Sequence, residues 1–311
     1  MSEENSATTA SEPAPEPSGP TSAPASAPAV KRTFMERLKG LDWTKIAAAL
    51  LALPAFAWVA IWADPIWIAG VALVVSAFMA NYELGRLIYP AKWQFERVLM
   101  VVCSVTLFLA AQSGEMELIV LALCVLAVLV WSALLFKEKN LIEVYKNTST
   151  LIFAGIYTGM MSGLVVALKR LEPGLQDTKL LVVLFALTWA SDAGAFFVGS
   201  WLGKHKLWPA VSGGKTWEGL AGGFVITTAT ALVIAWISDV WTLRDALILG
   251  PAFGVVTPVG DLVESAIKRG AGVKDSGFFL PGHGGALDRV DSILFTAPLL
   301  FFYATIIGPL R

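Results

Sequence analysis

Apolar runs alternate with short polar segments along the chain, at about 46–62, 65–81, 98–112, 117–136, 151–168, 180–201, 219–237, 246–267 and 290–308. A helix rising 1.5 Å per residue needs about 20 apolar residues to cross a bilayer's hydrocarbon core, and most of these runs are close to that length. The pattern predicts an all-α polytopic membrane protein of about nine transmembrane helices. The 98–112 run is short for a span, and Pro65 leaves little room between the first two runs, so a re-entrant pair is the alternative there. Composition agrees with the membrane reading. Hydrophobic residues make up 56% and charged residues 15% of the chain, and mean hydropathy is +0.67, whereas a soluble domain carries about 25% charged residues.

Outside the apolar runs the composition changes twice. Residues 1–30 are rich in Pro, Ala, Ser and Glu and poor in large apolar side chains, which predicts a disordered tail. No apolar core of a cleaved signal peptide occurs in it. Residues 31–45 form a basic juxtamembrane segment containing Lys31, Arg32, Arg37 and Lys39, suited to an anionic lipid surface. The remainder divides into N-terminal transmembrane helices, 46–179, and a C-terminal catalytic transmembrane region, 180–311. The two cysteines, Cys103 and Cys124, sit in apolar runs and read as small core residues.

Charge placement orients the chain, whereas its net charge of −1 says nothing about partners and gives no support to nucleic-acid binding. With the N-terminus in the cytoplasm, all of the 23 Lys and Arg lie on the cytoplasmic side except Lys169, Arg170, Lys179, Arg244 and Arg311. Such a bias satisfies the positive-inside rule and puts the C-terminus on the opposite side. The polar loop 202–218 and the polar cassette 265–291 then face the compartment that holds nucleotides.

Carboxylates within the spans call for a chemical reason, because an ionised one costs about 2.5–3.5 kcal/mol even on insertion scales. Asp192, Asp261 and Glu264 are such groups, and an interhelical salt bridge is the alternative to a functional role for each. Pro258 and Gly260 just before Asp261 predict a broken or kinked helix. Asp288 and Asp291, three apart at the start of the last span, lie on one helical face and with Asp261 suit a cage for Mg²⁺, with a second cation such as K⁺ also compatible. The helix dipole alone also favours acidic residues there. Around them Lys268, Arg269, Lys274 and Arg289 suit phosphate binding, and Gly284 and Gly285 let backbone N–H groups approach phosphate oxygens. His283, between glycines, is compatible with substrate contact or proton transfer. In the 202–218 loop, Gly213-Gly214-Lys215-Thr216 reads as a basic turn leading into a helix. It is not a Walker A motif, since Pro209 stands where a glycine is required. A flexible basic loop that only sets topology is the alternative.

The order of these residues is more specific than their chemistry. Ser265, Lys268 and Arg269, then Lys274-Asp275-Ser276-Gly277, then Leu280-Pro281-Gly282-His283-Gly284-Gly285, then Leu287-Asp288-Arg289-Val290-Asp291-Ser292 resemble the signature of the CDP-diacylglycerol synthases, also called phosphatidate cytidylyltransferases, of bacterial type. Gly203-Lys204-His205-Lys206 and Lys215-Thr216-Trp217-Glu218-Gly219 are similar to a second segment of that family, and Asp192 precedes it. The resemblance covers about 185–295. It departs from the family at Gly213, where proline is common, and at Phe196, where tyrosine is usual.

The resemblance implies transfer of a cytidylyl group from CTP to phosphatidic acid in phospholipid biosynthesis, at the cytoplasmic face of the bacterial inner membrane. In that reading Asp261, Asp288 and Asp291 hold Mg²⁺, Lys268, Arg269, Lys274 and Arg289 neutralise phosphates, and Asp275 orients its basic neighbours or the metal shell. Ser265, His283, Gly284, Gly285, Lys204, Lys215, Thr216, Glu218 and Asp192 contact substrate. Other readings are a polyprenol-type lipid kinase, an ether-lipid cytidylyltransferase or, from a different class, an ion-coupled transporter. A homodimer through apolar helix faces is compatible with the pattern.

Overall fold

A computed structural model describes residues 65–89, 93–171, 179–277 and 285–307, all within one compact unit, Asp42–Arg311. The tail 1–30, the basic segment 31–45 and the first apolar run, 46–62, lie outside the described residues. So do His283 and Gly284.

Eight helices long and apolar enough to cross a membrane occur among the described residues. They are α1 (Trp67–Ile88), α2 (Gln94–Ala111), α3 (Met116–Lys137), α4 (Leu141–Arg170), α5 (Lys179–Leu202), α6 (Trp217–Ile237), α7 (Leu243–Gly270) and α8 (Leu287–Ile307). Each corresponds to one apolar run from 65–81 onward, including the short one, which becomes the 18-residue α2. The protein is an all-α polytopic membrane protein. Its outward faces carry Val128, Phe136 and Trp236, all well exposed, which would be costly in water and is favourable in lipid. Cys103 is buried, whereas Cys124, expected in the core, lies on an exposed face of α3.

The ends of the helices follow local chemistry. Asn140 caps α4, its side chain accepting from Ile142 N at 3.0 Å. Thr242 and Asp245 form a reciprocal capping box at the start of α7. α7 stays helical through Pro251 and Pro258, so of the break or kink expected at Pro258, the break does not occur. Between α5 and α6, Lys206–Trp208 (β1) and Ser212–Thr216 (β2) pair as an antiparallel hairpin. The Gly-Gly-Lys segment is therefore a strand rather than the turn expected from its composition.

Two hydrophobic clusters organise the bundle. One joins α4, α5 and the latter half of α8, through Leu164, Leu184 and Phe301 among others. The other joins α1, α2, α3, α4 and the first half of α8, through Leu84, Leu107, Leu134 and Leu294. α8 thus belongs to both, so the division at 179/180 is bridged by packing.

Within lipid, apolar burial gives little drive for helices to associate, and close backbone approach takes its place. α4 places Gly155, Gly159 and Gly163 on one face against α2, and a Cβ on Gly159 would sit 2.1 Å from the Ser104 carbonyl oxygen. The contact is fixed by buried hydroxyls. Ser76 Oγ donates to Thr158 O at 2.7 Å, and Thr158 Oγ1 donates to Ser104 Oγ at 2.9 Å. Gly159→Val should therefore lower stability by about 3 kcal/mol or more, the upper end for overpacking, measured as a drop in unfolding midpoint in detergent. Gly70→Val, where a Cβ meets nothing within 4 Å, should leave the midpoint in place. Equal midpoints for the two variants would contradict the α2–α4 approach.

Candidate active site

Among the described residues, the polar groups singled out above converge at one end of the bundle, where α7 ends, α8 begins and the hairpin folds over them. α7 crosses α8 closely because residue 260 has no side chain: a Cβ there would lie 2.7 Å from Asp291 O and 3.1 Å from Ser292 Cα. That crossing sets the stagger of the two helices. It brings Asp261 and Glu264 of α7 to Asp291 of α8, with one carboxylate oxygen of each within 4.8 Å of the others.

Asp261 lies about 13 Å in from the end of α7, from the helical rise. Its Oδ2 is 2.8 Å from Lys215 Nζ, and Ser265 Oγ donates to its Oδ1 at 3.4 Å. Lys215 also donates to Pro258 O at 3.0 Å, so β2 is tied to α7 at two acceptors. Asp192 on α5 is near enough to Asp261 and Lys215 to feel both charges. Asp291 Oδ1 accepts from Ser292 N at 2.7 Å.

Asp288, expected beside Asp261 and Asp291, is engaged differently. Its Oδ1 meets Lys268 Nζ at 2.6 Å, and its Oδ2 accepts from Gly285 N at 2.8 Å and Ser276 N at 3.3 Å. Lys268 is shared with Glu264 Oε2 at 2.5 Å. The other Glu264 oxygen, Oε1, is buried and has no hydrogen-bond partner. Glu264 thus stands in the carboxylate group, while Asp288 holds Lys268 and the start of α8.

The remaining residues frame this centre. Arg269 donates to Val211 O at 3.4 Å, at the hairpin turn, and to Val273 O at 2.9 Å. Lys274 and Asp275 are exposed on the loop after α7, and Arg289 is exposed on the first turn of α8. Glu218 ties the base of the hairpin, accepting from Lys204 N at 3.1 Å and bonding His205 Nδ1 at 2.6 Å. Thr216 is buried and its hydroxyl caps α6, accepting from Gly219 N at 3.1 Å. Phe196 is exposed and packs edge-to-face on Phe197.

One residue at this end was not singled out from the sequence. Glu83, fully buried on α1, accepts from Ala286 N at 2.6 Å and Leu287 N at 2.7 Å. It stands just beyond the apolar run 65–81, in what reads as a loop, and only the continuation of α1 to Ile88 places it inside the bundle.

Five carboxylates, Asp192, Asp261, Glu264, Asp288 and Asp291, gather here with the ammonium groups of Lys215 and Lys268 among them. So much negative charge in a membrane-embedded site calls for a cation. A trio of carboxylate oxygens, one of them on a side chain with an unpartnered buried atom, is the hard-oxygen donor set that Mg²⁺ takes. Beside the basic residues Arg269, Lys274 and Arg289, such a donor set in a bundle of apolar helices fits a membrane enzyme that handles phosphates.

Comparison with known proteins narrows the class. Residues 43–307 match the model of the cytidylyltransferase family. A phosphatidate cytidylyltransferase of Bacillus subtilis is 34% identical over 260 residues, covering 74% of this chain and 95% of the relative. Enzymes of the same name from Staphylococcus haemolyticus, 47% identical over 120 residues (37% of this chain, 45% of the relative), and from Staphylococcus epidermidis, 44% identical over 133 residues (42% and 50%), also match. The chain belongs to the cytidylyltransferase family and is a nucleotidyltransferase.

Proposed function

We propose that this enzyme transfers CMP from CTP to phosphatidic acid, giving CDP-diacylglycerol and pyrophosphate. The observation that carries the reading is the convergence of Asp261, Glu264 and Asp291 in a chain of this family whose relatives carry that activity in their names. In the reaction a phosphate oxygen of the lipid attacks the α-phosphorus of CTP. The new P–O bond forms as the bond to the bridging β-phosphate oxygen breaks, and pyrophosphate leaves. A lipid phosphate is already anionic near neutral pH, so no covalent enzyme nucleophile is required. The enzyme's work is alignment and charge neutralisation.

Asp261, Glu264 and Asp291 would hold Mg²⁺, which supplies neutralisation of the triphosphate and of the departing pyrophosphate. Lys215, anchored at Pro258 O, reaches the same carboxylates from the hairpin and would meet phosphate oxygens at their edge. Arg269, Lys274 and Arg289, on the last turn of α7, the loop after it and the first turn of α8, would draw in the polyanionic substrates. Lys268 is assigned to holding Glu264 and Asp288 in place. The bias of Lys and Arg toward the hairpin and cassette supports a cytoplasmic site in a bacterial inner membrane, where CTP is available.

The test is purified protein in mixed micelles with labelled CTP, phosphatidic acid and Mg²⁺. Pyrophosphate release that depends on the lipid is expected. Its absence in a sample shown to be folded would overturn the reading.

A further inference from the structure

A helix begins with N–H groups that have no partner within the helix, and buried ones need an acceptor from elsewhere. α8 receives no side-chain cap from Ala286, the residue at its N-cap position. Its acceptor comes from the other end of the sequence. Glu83 Oε1 takes Ala286 N at 2.6 Å, Oε2 takes Leu287 N at 2.7 Å, and Ser276 Oγ donates to Oε2 at 3.5 Å. The carboxylate is fully buried. It sits in a π-helical stretch of α1, Met79–Leu84, a local widening of the helix that often marks functional positions.

The described residues of the cassette on either side of 278–284 leave room for this side chain. A Cβ on Gly285 would lie 2.8 Å from Glu83 Oε1 and 2.0 Å from Ser276 Oγ, and one on Gly277 would lie 3.2 Å from Glu83 Cγ. Two glycines of the polar cassette thus make room for Glu83, and Gly285 sends its N–H to Asp288. The start of α8 is in this way pinned from both sides, by Asp288 from within and by Glu83 from α1. Asp291 follows one turn later.

We propose that Glu83 is a positioning residue for the reaction: by fixing the entry of α8 it sets where Asp288 and Asp291 stand against α7. The proposal rests on the cytidylyl-transfer reading for its kinetic part and on the geometry alone for its structural part. Glu83→Gln keeps the size of the side chain but presents an N–H₂ group to one of two N–H donors, so one bond must be lost.

The experiment combines amide hydrogen exchange with kinetics on the full-length protein in micelles. The amides of Ala286 and Leu287 should exchange slowly in the wild type, unlike ordinary first-turn amides, and rapidly in Glu83→Gln, while amides of α2 keep their protection. Turnover should fall about 100-fold, the scale of an ångström's misplacement, with KM for CTP changed much less. Should Glu83→Gln fail to fold, Gly285→Ala presses on Ser276 Oγ and Glu83 from the opposite side and should give the same pair of effects. Equal exchange at 286 and 287 in wild type and variant would overturn the inference. Fast exchange with undiminished turnover would overturn the positioning role. A wild type without lipid-dependent pyrophosphate release would instead count against the functional reading, leaving the exchange result to decide on Glu83.

Discussion

Asp261→Asn and Asp291→Asn should each lower cytidylyl transfer by about 10³-fold, the upper range for losing one preorganised electrostatic group, while the protein stays folded in the membrane. The two carboxylates come from different helices and meet where α7 and α8 touch at Gly260. Asparagine keeps the shape and removes the charge, so packing at that crossing is retained. Glu264→Gln should behave like them, since Glu264 stands in the same trio. The measurement is turnover in mixed micelles alongside a Mg²⁺ titration. In the variants the residual activity should need more Mg²⁺ than wild type. Near-normal turnover at ordinary Mg²⁺ in any one of the three would remove that residue from the site.

Glu264 joins Asp261 and Asp291 for a reason that the sequence alone does not supply. Asp261 and Glu264 are three apart on α7, and Asp288 and Asp291 are three apart on α8, so each helix offers two carboxylates on one face. Which of the four meet depends on the stagger of the helices, and that is fixed by the contact of Gly260 with Asp291 O and Ser292. Periodicity gives the faces but not the stagger. The helices themselves were legible, because a span has to satisfy its backbone internally and advertises itself as an apolar run. Their ends were less so. Residues 82–88 and 141–150 look like loops, yet they continue α1 and α4, with Asn147 and Thr148 buried on the latter. A polar residue that faces protein inside a helix looks, in sequence, like one that faces water. The hairpin is hidden for a different reason: three-residue Lys206–Trp208 and glycine-containing Ser212–Thr216 have little strand propensity of their own, and α5, α6 and α7 pack against β2.

Lys268→Met tests the electrostatic bookkeeping of the site as a whole. The ammonium lies between Glu264 Oε2 at 2.5 Å and Asp288 Oδ1 at 2.6 Å, with little exposure on any of the three side chains. Methionine fills a similar volume but leaves two carboxylates facing each other without their cation. Removing one partner from a buried ion pair costs about 3–5 kcal/mol, and here two partners are stranded. The variant should show a loss of that order in unfolding free energy in detergent, together with loss of turnover. Adding Glu264→Gln to Lys268→Met removes one of the stranded charges, so the double variant should recover part of the lost stability. It should recover no turnover, because Glu264 is itself needed in the trio. A double-mutant cycle reads the two effects apart: coupling between positions 268 and 264 should appear in stability and be absent from recovered activity. If Lys268→Met were as stable as wild type, the ion-pair geometry described for α7 and α8 would be wrong. If the double variant regained turnover, Glu264 would be a structural partner of Lys268 and no part of the cation site.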